Sequence, residues 1–259
     1  MKIIADLHTH TQYSRGRITP HGHGSVAEAA AAARAKGLLL GSTDHGPGHS
    51  FYGLRAGDPP AIRREIEAVN EAAGREVMKF GVEANVLDFD GKTDLCLMDP
   101  LPDLRLLGYH KGVLPFGAGD GRFFWSTSFC KKGSYARLTD AILRAFERYP
   151  VDALTHPGEY IPVDIRAVAR GAVLQGVALE INNAHGLALE DAAAALEEGA
   201  YFLLSSDAHR PENIGQVERA MAIAQDAGIP PERIINSGEC DWKAPLRIGR
   251  FRQWLTEQR

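Results

Sequence analysis

With 259 residues, 44% of them hydrophobic and 24% charged, the chain has an ordinary globular composition and enough length to bury a substantial core. A net charge of −4 argues against a broad nucleic-acid surface, which needs a basic footprint. No apolar run reaches the roughly 18 residues of a membrane span, and the N-terminus shows no basic-then-apolar secretory signal, so a cytoplasmic, non-membrane protein is expected.

The elements follow in chain order. A first strand is expected at 2–7, KIIADL, running straight into His8 and His10. Ser25 and Glu28 have the spacing of a capping box for a helix over 26–36, which stops at Gly37. A strand at 38–43 leads to Asp44 and His45 in STDHGPGH, and Asp58-Pro59 suits the N-cap and first position of a helix over 59–73. The strand expected at 77–86 carries Glu83, and the one at 104–109 ends at His110. A helix over 134–148 and a strand over 151–155 lead to His156. A helix over 162–175 and a strand over 176–182 bring Glu180 and Asn182; a helix over 188–198 and a strand over 200–206 bring Asp207 and His209. Helices over 212–227 and 245–257, and a further short strand at 233–237, complete the pattern. Cys96, Cys130 and Cys240 are scattered, lack CxxC spacing and read as reduced thiols.

Regular alternation of strands and helices means a parallel sheet, and both an open doubly wound sheet and a closed barrel satisfy it. The absence of GxGxxG after the first strand weakens the dinucleotide-binding version. With no fixed-period repeat and no low-complexity linker, residues 1–259 read as one domain. The irregular stretches, 11–24, 46–57 and 112–133, all follow strands.

In parallel α/β folds the C-terminal strand ends gather on one rim, so ligand-type residues far apart in sequence become neighbours there. A single histidine after a strand is more often a hydrogen-bonded loop residue than a ligand. Six separate strand ends carrying His, Asp or Glu have a joint meaning that solvated loops do not explain. Mixed imidazole and carboxylate donors suit zinc, manganese, iron or nickel. They outnumber the roughly four to six ligands one ion uses, which implies two or three ions sharing a bridging carboxylate.

The pieces DLHTHTQYS, STDHG, GVEAN, GYHKGV, THPG, ALEINN and SSDAHRPENIG together resemble the PHP (polymerase and histidinol phosphatase) family, in the family's order from residue 3 to about 215. The resemblance is to the stand-alone bacterial PHP phosphoesterases of histidinol-phosphatase type. It implies a distorted (β/α)₇ TIM-like barrel with a trinuclear site, of zinc, manganese or iron, at the C-terminal rim. By motif, His8, His10, Glu83 and Asp207 would hold one ion, and Glu83 would bridge to a second held by His110 and His156. His45, His209 and a histidine from the first loop would hold the third. That loop departs from the family: it reads SRGRITPHGHGS, lengthened, with Arg15 at the usual histidine position. Counting back from Ser25 puts His21 in register, in preference to His23.

The expected reaction is hydrolysis of a small phosphomonoester by metal-activated hydroxide, with Glu83 bridging ions and Asp207, or an unligated histidine, protonating the leaving alkoxide. Arg15, Arg17, Lys111 and Arg210 are placed to meet phosphate, or are solvated charges. Phe123, Phe124 and Trp125, in the stretch 117–135, form a lid or pocket wall, cover a barrel edge, or make a subunit contact. Asp44, Glu180 and Asn182 read as groups that orient ligands, His49 as a loop residue, and His185 as a rim neighbour. Histidinol phosphate is one candidate substrate. Other classes are a nucleotide-end phosphodiesterase or exonuclease, an amidohydrolase-type enzyme, which would require a ligating lysine on a middle strand, and a non-catalytic PHP domain. Oligomeric state is not readable from these residues.

Overall fold

The computed structural model describes residues 1–16, 20–111, 113, 123 and 131–256, the side chains of 131–134 aside. Seven parallel strands form one sheet in sequential order: β1 Ala5–Thr9, β2 Leu39–Ser42, β3 Met78–Asn85, β4 Leu104–Gly108, β5 Ala153–Leu154, β6 Ala178–Asn182 and β7 Phe202–Ser205. The helices between them are α1 Val26–Ala35, α2 Asp58–Ala73, α3 Lys131–Arg148, α4 Ile165–Gln175 and α5 Leu189–Glu197, and α6 Glu218–Asp226 and α7 Arg252–Thr256 follow β7. The open sheet left possible by the alternation is excluded, because β1 and β7 meet at a parallel bridge between Thr9 and Ala208. The fold is a nearly closed, TIM-like (β/α)₇ barrel.

The seam between β1 and β7 is stitched by side chains. Asn236 donates from Nδ2 to the carbonyls of Ala5 and Leu204 and accepts from Leu204 N–H at its Oδ1. The buried carboxylate of Asp6 accepts from Ser206 Oγ and, at 2.7 Å, from Gly215 N–H. The strand expected at 233–237 is therefore a wedge at this seam and not a member of the sheet: it pairs through single bridges at Ile234 and Ser237, with Asn236 tying both sides.

Most helix ends follow the local chemistry. Ser25 and Glu28 make the capping box, a feature that contributes about 1 kcal/mol at a helix start. Asp58 is the first helical residue instead of the N-cap; its carboxylate accepts from Arg55 N–H and pairs with Arg15 at 3.0 Å. The helix expected over 212–227 is split into a 3₁₀ turn, Pro211–Asn213, and α6. Gly215 explains the break: its φ of +75° lies in the left-handed region, where glycine is tolerated and helices stop. At the C-terminus, the helix expected over 245–257 is a 3₁₀ turn, Arg247–Phe251, running into α7. Tertiary anchors override helical pattern there, with Arg250 pairing with buried Asp152 and Arg247 donating to the Phe146 and Tyr149 carbonyls.

Burial follows the two-residue period of the strands. Met78, Phe80, Val82 and Ala84 on β3, Leu107 on β4, and Phe202 and Leu204 on β7 face the helices in the outer core. The opposite rows fill the barrel. Ala5, Leu7, Leu39, Leu104, Leu106, Ala153, Ala178 and Leu203 pack with Ile248, Trp254 and Leu255 from the C-terminal segment, which closes the barrel's N-terminal end. Among the described residues no helix is long and apolar enough to cross a membrane. Cys96 and Cys240 are not paired with one another, and Cys130 lies outside the described residues.

Candidate metal centre

The inward rows that are apolar at the N-terminal end turn polar toward the C-terminal end. On β2 the row 39, 41, 43 continues to His45; on β3 it reaches Glu83 and Asn85; on β4 it reaches His110. On β5 it reaches Thr155, on β6 Glu180 and Asn182, and on β7 Ser205, Asp207 and His209. Three residues break this alternation, and each sits on irregular backbone. His8 and His10 follow a register shift between Asp6 and Thr9 that re-aims side chains inward. His156 turns inward with a left-handed φ of +27°, held by its N–H donating to Glu180 Oε2 at 2.7 Å. Asp207 is also left-handed, at +53°. Backbone strain of this kind concentrates where a site over-determines geometry.

Glu83 is the hub. Its Oε1 lies 2.9 Å from His156 Nε2, 3.1 Å from His110 Nε2 and 3.4 Å from His8 Nε2, and accepts from Thr155 Oγ1 at 2.9 Å. Its Oε2 lies 2.9 Å from His45 Nδ1 and 3.7 Å from His10 Nε2. Burial alone would raise the Glu83 carboxyl, but the neighbouring His110 and His8 rings, with a hydrogen bond from His156, hold it well below the carboxylate range. Asp207 behaves likewise: burial opposes ionisation, and His8 and His10 outweigh it.

Four imidazoles have Nδ1 engaged and Nε2 turned into the centre. His8 Nδ1–H donates to Glu180 Oε1 at 2.6 Å, and His10 Nδ1–H donates to Ser14 Oγ at 3.2 Å. His110 Nδ1–H donates to Asn85 Oδ1 at 2.7 Å, and His209 Nδ1–H to the Asp207 carbonyl at 2.9 Å. Such outer partners fix ring orientation and leave the other nitrogen as a donor to metal. Asp44 accepts from Ser14 Oγ, Thr11 Oγ1 and two backbone N–H groups, so it braces His10 through Ser14. Asn182 bridges Glu180 and Asp207. Glu180 and Asn182 thus contact His8, His156 and Asp207 directly, and Asp44 reaches His10 through Ser14.

Among the described residues His45 Nε2 and His209 Nε2 are buried without a hydrogen bond, and Glu83 Oε2 and His45 Nδ1, 2.9 Å apart, make none of good geometry, an arrangement that is costly unless something cationic completes it. His8 Nε2 and His10 Nε2 face each other at 3.2 Å, beside Asp207 Oδ1 at 3.1 Å from His10. Burial, then repulsion from His209, lowers His10 to about 3, which keeps the ring uncharged at neutral pH. Among the described residues the donor atoms form three groups, each within 4.8 Å: His8, His10 and Asp207; His45, Glu83 and His110; His10, His45 and His209. This donor set fits borderline divalent cations. The grouping differs from the motif assignment, because His45 faces Glu83 and His110 as well as His209, and His10 is shared.

His21 and His23 separate cleanly. The His21 ring lies 4.3 Å from His209, 5.3 Å from His45 and stacks on Tyr52 at 3.9 Å. His23 instead faces Arg210, Nε2 to guanidinium at 3.5 Å. Arg15, placed at the rim by sequence, has its guanidinium drawn to Asp58 and over the Tyr13 ring. Arg17 lies outside the described residues. Arg210 is exposed, and Lys111 extends over the Tyr160 ring at 5.2 Å, beside His110 and His156. Phe123 is not a lid: it is buried against Phe89 and Tyr109, with ring centroids at 4.9 and 5.9 Å. Phe124 and Trp125 lie outside the described residues.

Sequence reasoning undervalued His49 and His185 and missed Asp94. His49 is buried among the rings of His45, Tyr52 and His110 and accepts from Tyr52 N–H at 3.1 Å. Its place four residues after His45 was the available signal. His185 stands at the rim between Glu159, at 3.2 Å, and Asp207, at 3.5 Å.

No family model matches the chain. Proteins called probable phosphatases do: one from Shewanella sp. strain ANA-3 is 30% identical over 256 residues, spanning 91% of this chain and 88% of its own length. Others from Shewanella putrefaciens and Aeromonas hydrophila are 32% and 29% identical, each covering 91% of this chain and 88% and 90% of their own. The chain belongs to this family of probable phosphatases. As a member of that family it is an enzyme, a hydrolase. Its fold is that of a histidinol phosphate phosphatase from Lactococcus lactis solved with zinc, L-histidinol and phosphate, at a TM-score of 0.62 and 14% identity. The match covers 88% of this chain and 94% of that one.

Proposed function

We propose that residues 1–259 act as one PHP domain that hydrolyses small phosphomonoesters with two or three divalent cations. The observation that carries this reading is the set of buried metal-type donor atoms, His45 Nδ1 and Nε2, Glu83 Oε2 and His209 Nε2, that no well-formed hydrogen bond among the described residues satisfies, ringed by further imidazoles and Asp207. His8, His10 and Asp207 would hold one cation, and Glu83 with His45, His110 and His156 a second. His45, His209, His10 and His21 surround the place for a third. The zinc and phosphate in the Lactococcus lactis neighbour support the same reading.

What such ions supply is Lewis acidity: a more acidic water and neutralised phosphoryl oxygens. The chain's own contribution is orientation and charge. Glu180, Ser14, Asn85 and the Asp207 carbonyl take the Nδ1 protons, so no ring need rotate to present Nε2. Glu83 and Asp207, ionised despite burial, balance the cationic charge that a phosphate dianion must also meet. Lys111 Nζ, exposed above Tyr160, is the described side chain best placed to meet a phosphoryl oxygen at the rim. Asp207 Oδ2, 3.5 Å from His185 Nε2, offers a route for a proton to the leaving oxygen.

Purified protein is stripped by chelation, reloaded with Zn²⁺ or Mn²⁺, and offered p-nitrophenyl phosphate, histidinol phosphate and a single-stranded oligonucleotide. Phosphate release from a monoester, lost on chelation and restored on reloading, is the expected result. Shortening of the oligonucleotide alone would replace this reading with a nuclease.

A further inference from the structure

Asp94 opens a 3₁₀ turn, Asp94–Leu97, in the connection between β3 and β4, away from the ligand-type residues in sequence, and it is fully buried. Among the described residues no cation pairs with it. Its carboxylate accepts from Asn85 N–H at 2.7 Å, Asn85 Nδ2 at 2.6 Å and Gly48 N–H at 2.8 Å. The site is built around that carboxylate: a Cβ on Gly46 would come within 2.4 Å of Asp94 Oδ2. Asp94 therefore lies beneath the loop that follows His45 and beneath the amide that contacts His110.

A carboxylate only accepts hydrogen bonds, whereas an amide has one accepting and one donating end. With Asp94 on its Nδ2 side, Asn85 has to offer Oδ1 to His110, and Oδ1 can take only a protonated Nδ1. His110 is then left with its Nε2 lone pair toward Glu83, 3.1 Å away. We propose that Asp94 is a positioning residue that sets the tautomer of His110 through Asn85 and so decides which ring nitrogen faces the metal centre. The inference rests on the reading of His110 as a ligand. Burial without a countercharge raises the Asp94 carboxyl to about 6, which leaves it ionised, and purely accepting, at neutral pH.

In Asp94→Asn the new amide places a donor against Asn85 Nδ2 and Gly48 N–H. The Asn85 amide can then turn round, donate to His110 Nδ1 and drive the ring to its Nε2–H form. The test combines ¹⁵N-histidine spectra, with His110 assigned by difference from His110→Gln, and zinc titration of the full chain. Wild type is expected to show His110 protonated at Nδ1, with and without zinc. Asp94→Asn is expected to weaken one zinc site by about 10- to 100-fold while the metal-free protein keeps its far-ultraviolet spectrum. In an Asn85→Ala background the same substitution should add no further loss, because its route is gone. A purely structural Asp94 would give additive losses, and that result overturns the proposal. An Nε2–H His110 in wild type overturns it too, and needs no variant to fold. A wild type that takes up no zinc sinks the metal reading of the whole site, while the tautomer of the metal-free protein still decides this inference.

Discussion

The two ends of the barrel interior are built from the same strand faces and could hardly differ more. At the N-terminal end the inward rows read Leu39, Leu104, Leu106, Ala153, Ala178 and Leu203, sealed by Trp254 and Leu255. A few residues on, the same rows read His45, Glu83, His110, Thr155, Glu180 and Asp207, equally buried. The floor gains from every buried methylene, about 0.8 kcal/mol each. The rim places ionised carboxylates and bare imidazole nitrogens out of water, a cost that only mutual pairing or cations offset. One end stabilises the barrel and the other draws on that stability.

Exchanging the two kinds of loss sharpens this contrast. Glu83→Ala should lower kcat on the order of 1,000-fold or more and strip metal, since several kcal/mol of charge stabilisation depends on the ions it would bridge. Thermal unfolding of the metal-free variant should stay close to wild type; elemental analysis, a phosphatase assay and calorimetry check the three parts. Leu106→Ala at the floor should do the opposite, costing about 2–5 kcal/mol in urea unfolding with kcat per folded molecule unchanged. A comparable kcat loss there would erase the distinction. His21→Ala, at the outer edge of the site, should cost roughly tenfold in activity, about the effect of losing one tie to a metal. Equal losses for His21→Ala and Glu83→Ala would contradict the hub role of Glu83.

The smallest expected effect is a pH dependence. Asp94 binds its proton more tightly folded, near 6, than in an unfolded chain, near 3.8. A raised carboxyl contributes stability that is full below about 4 and is lost as pH rises through about 6. Chelator-treated wild type should therefore lose stability relative to Asp94→Asn over that window. A constant difference between the two proteins across it would show that Asp94 titrates normally.

Much of the fold was legible because the interior rows alternate with period two and most helices carry caps or glycine stops. The ligand-type residues were legible because their chemistry is out of place at strand ends: His8, His10, Glu83, His110, His156 and Asp207 all reach the centre. What stayed hidden depends on contacts between distant segments. Nothing local says that Arg15 turns to Asp58, or that Phe123 leaves a glycine-rich stretch for the core. Asp94 looks like any acid in a loop until Asn85 and Gly48 are seen to converge on it. The splitting of 212–227 at Gly215 is another case, because the Gly215 N–H belongs to Asp6, over two hundred residues away.

The most direct test is an anomalous-difference map from crystals of the zinc-loaded protein. Peaks are expected between His45 and Glu83 Oε2 and among His8, His10 and Asp207, within ordinary zinc–ligand distance of those atoms. A featureless map there, in crystals whose dissolved protein still hydrolyses phosphomonoesters, would contradict the account.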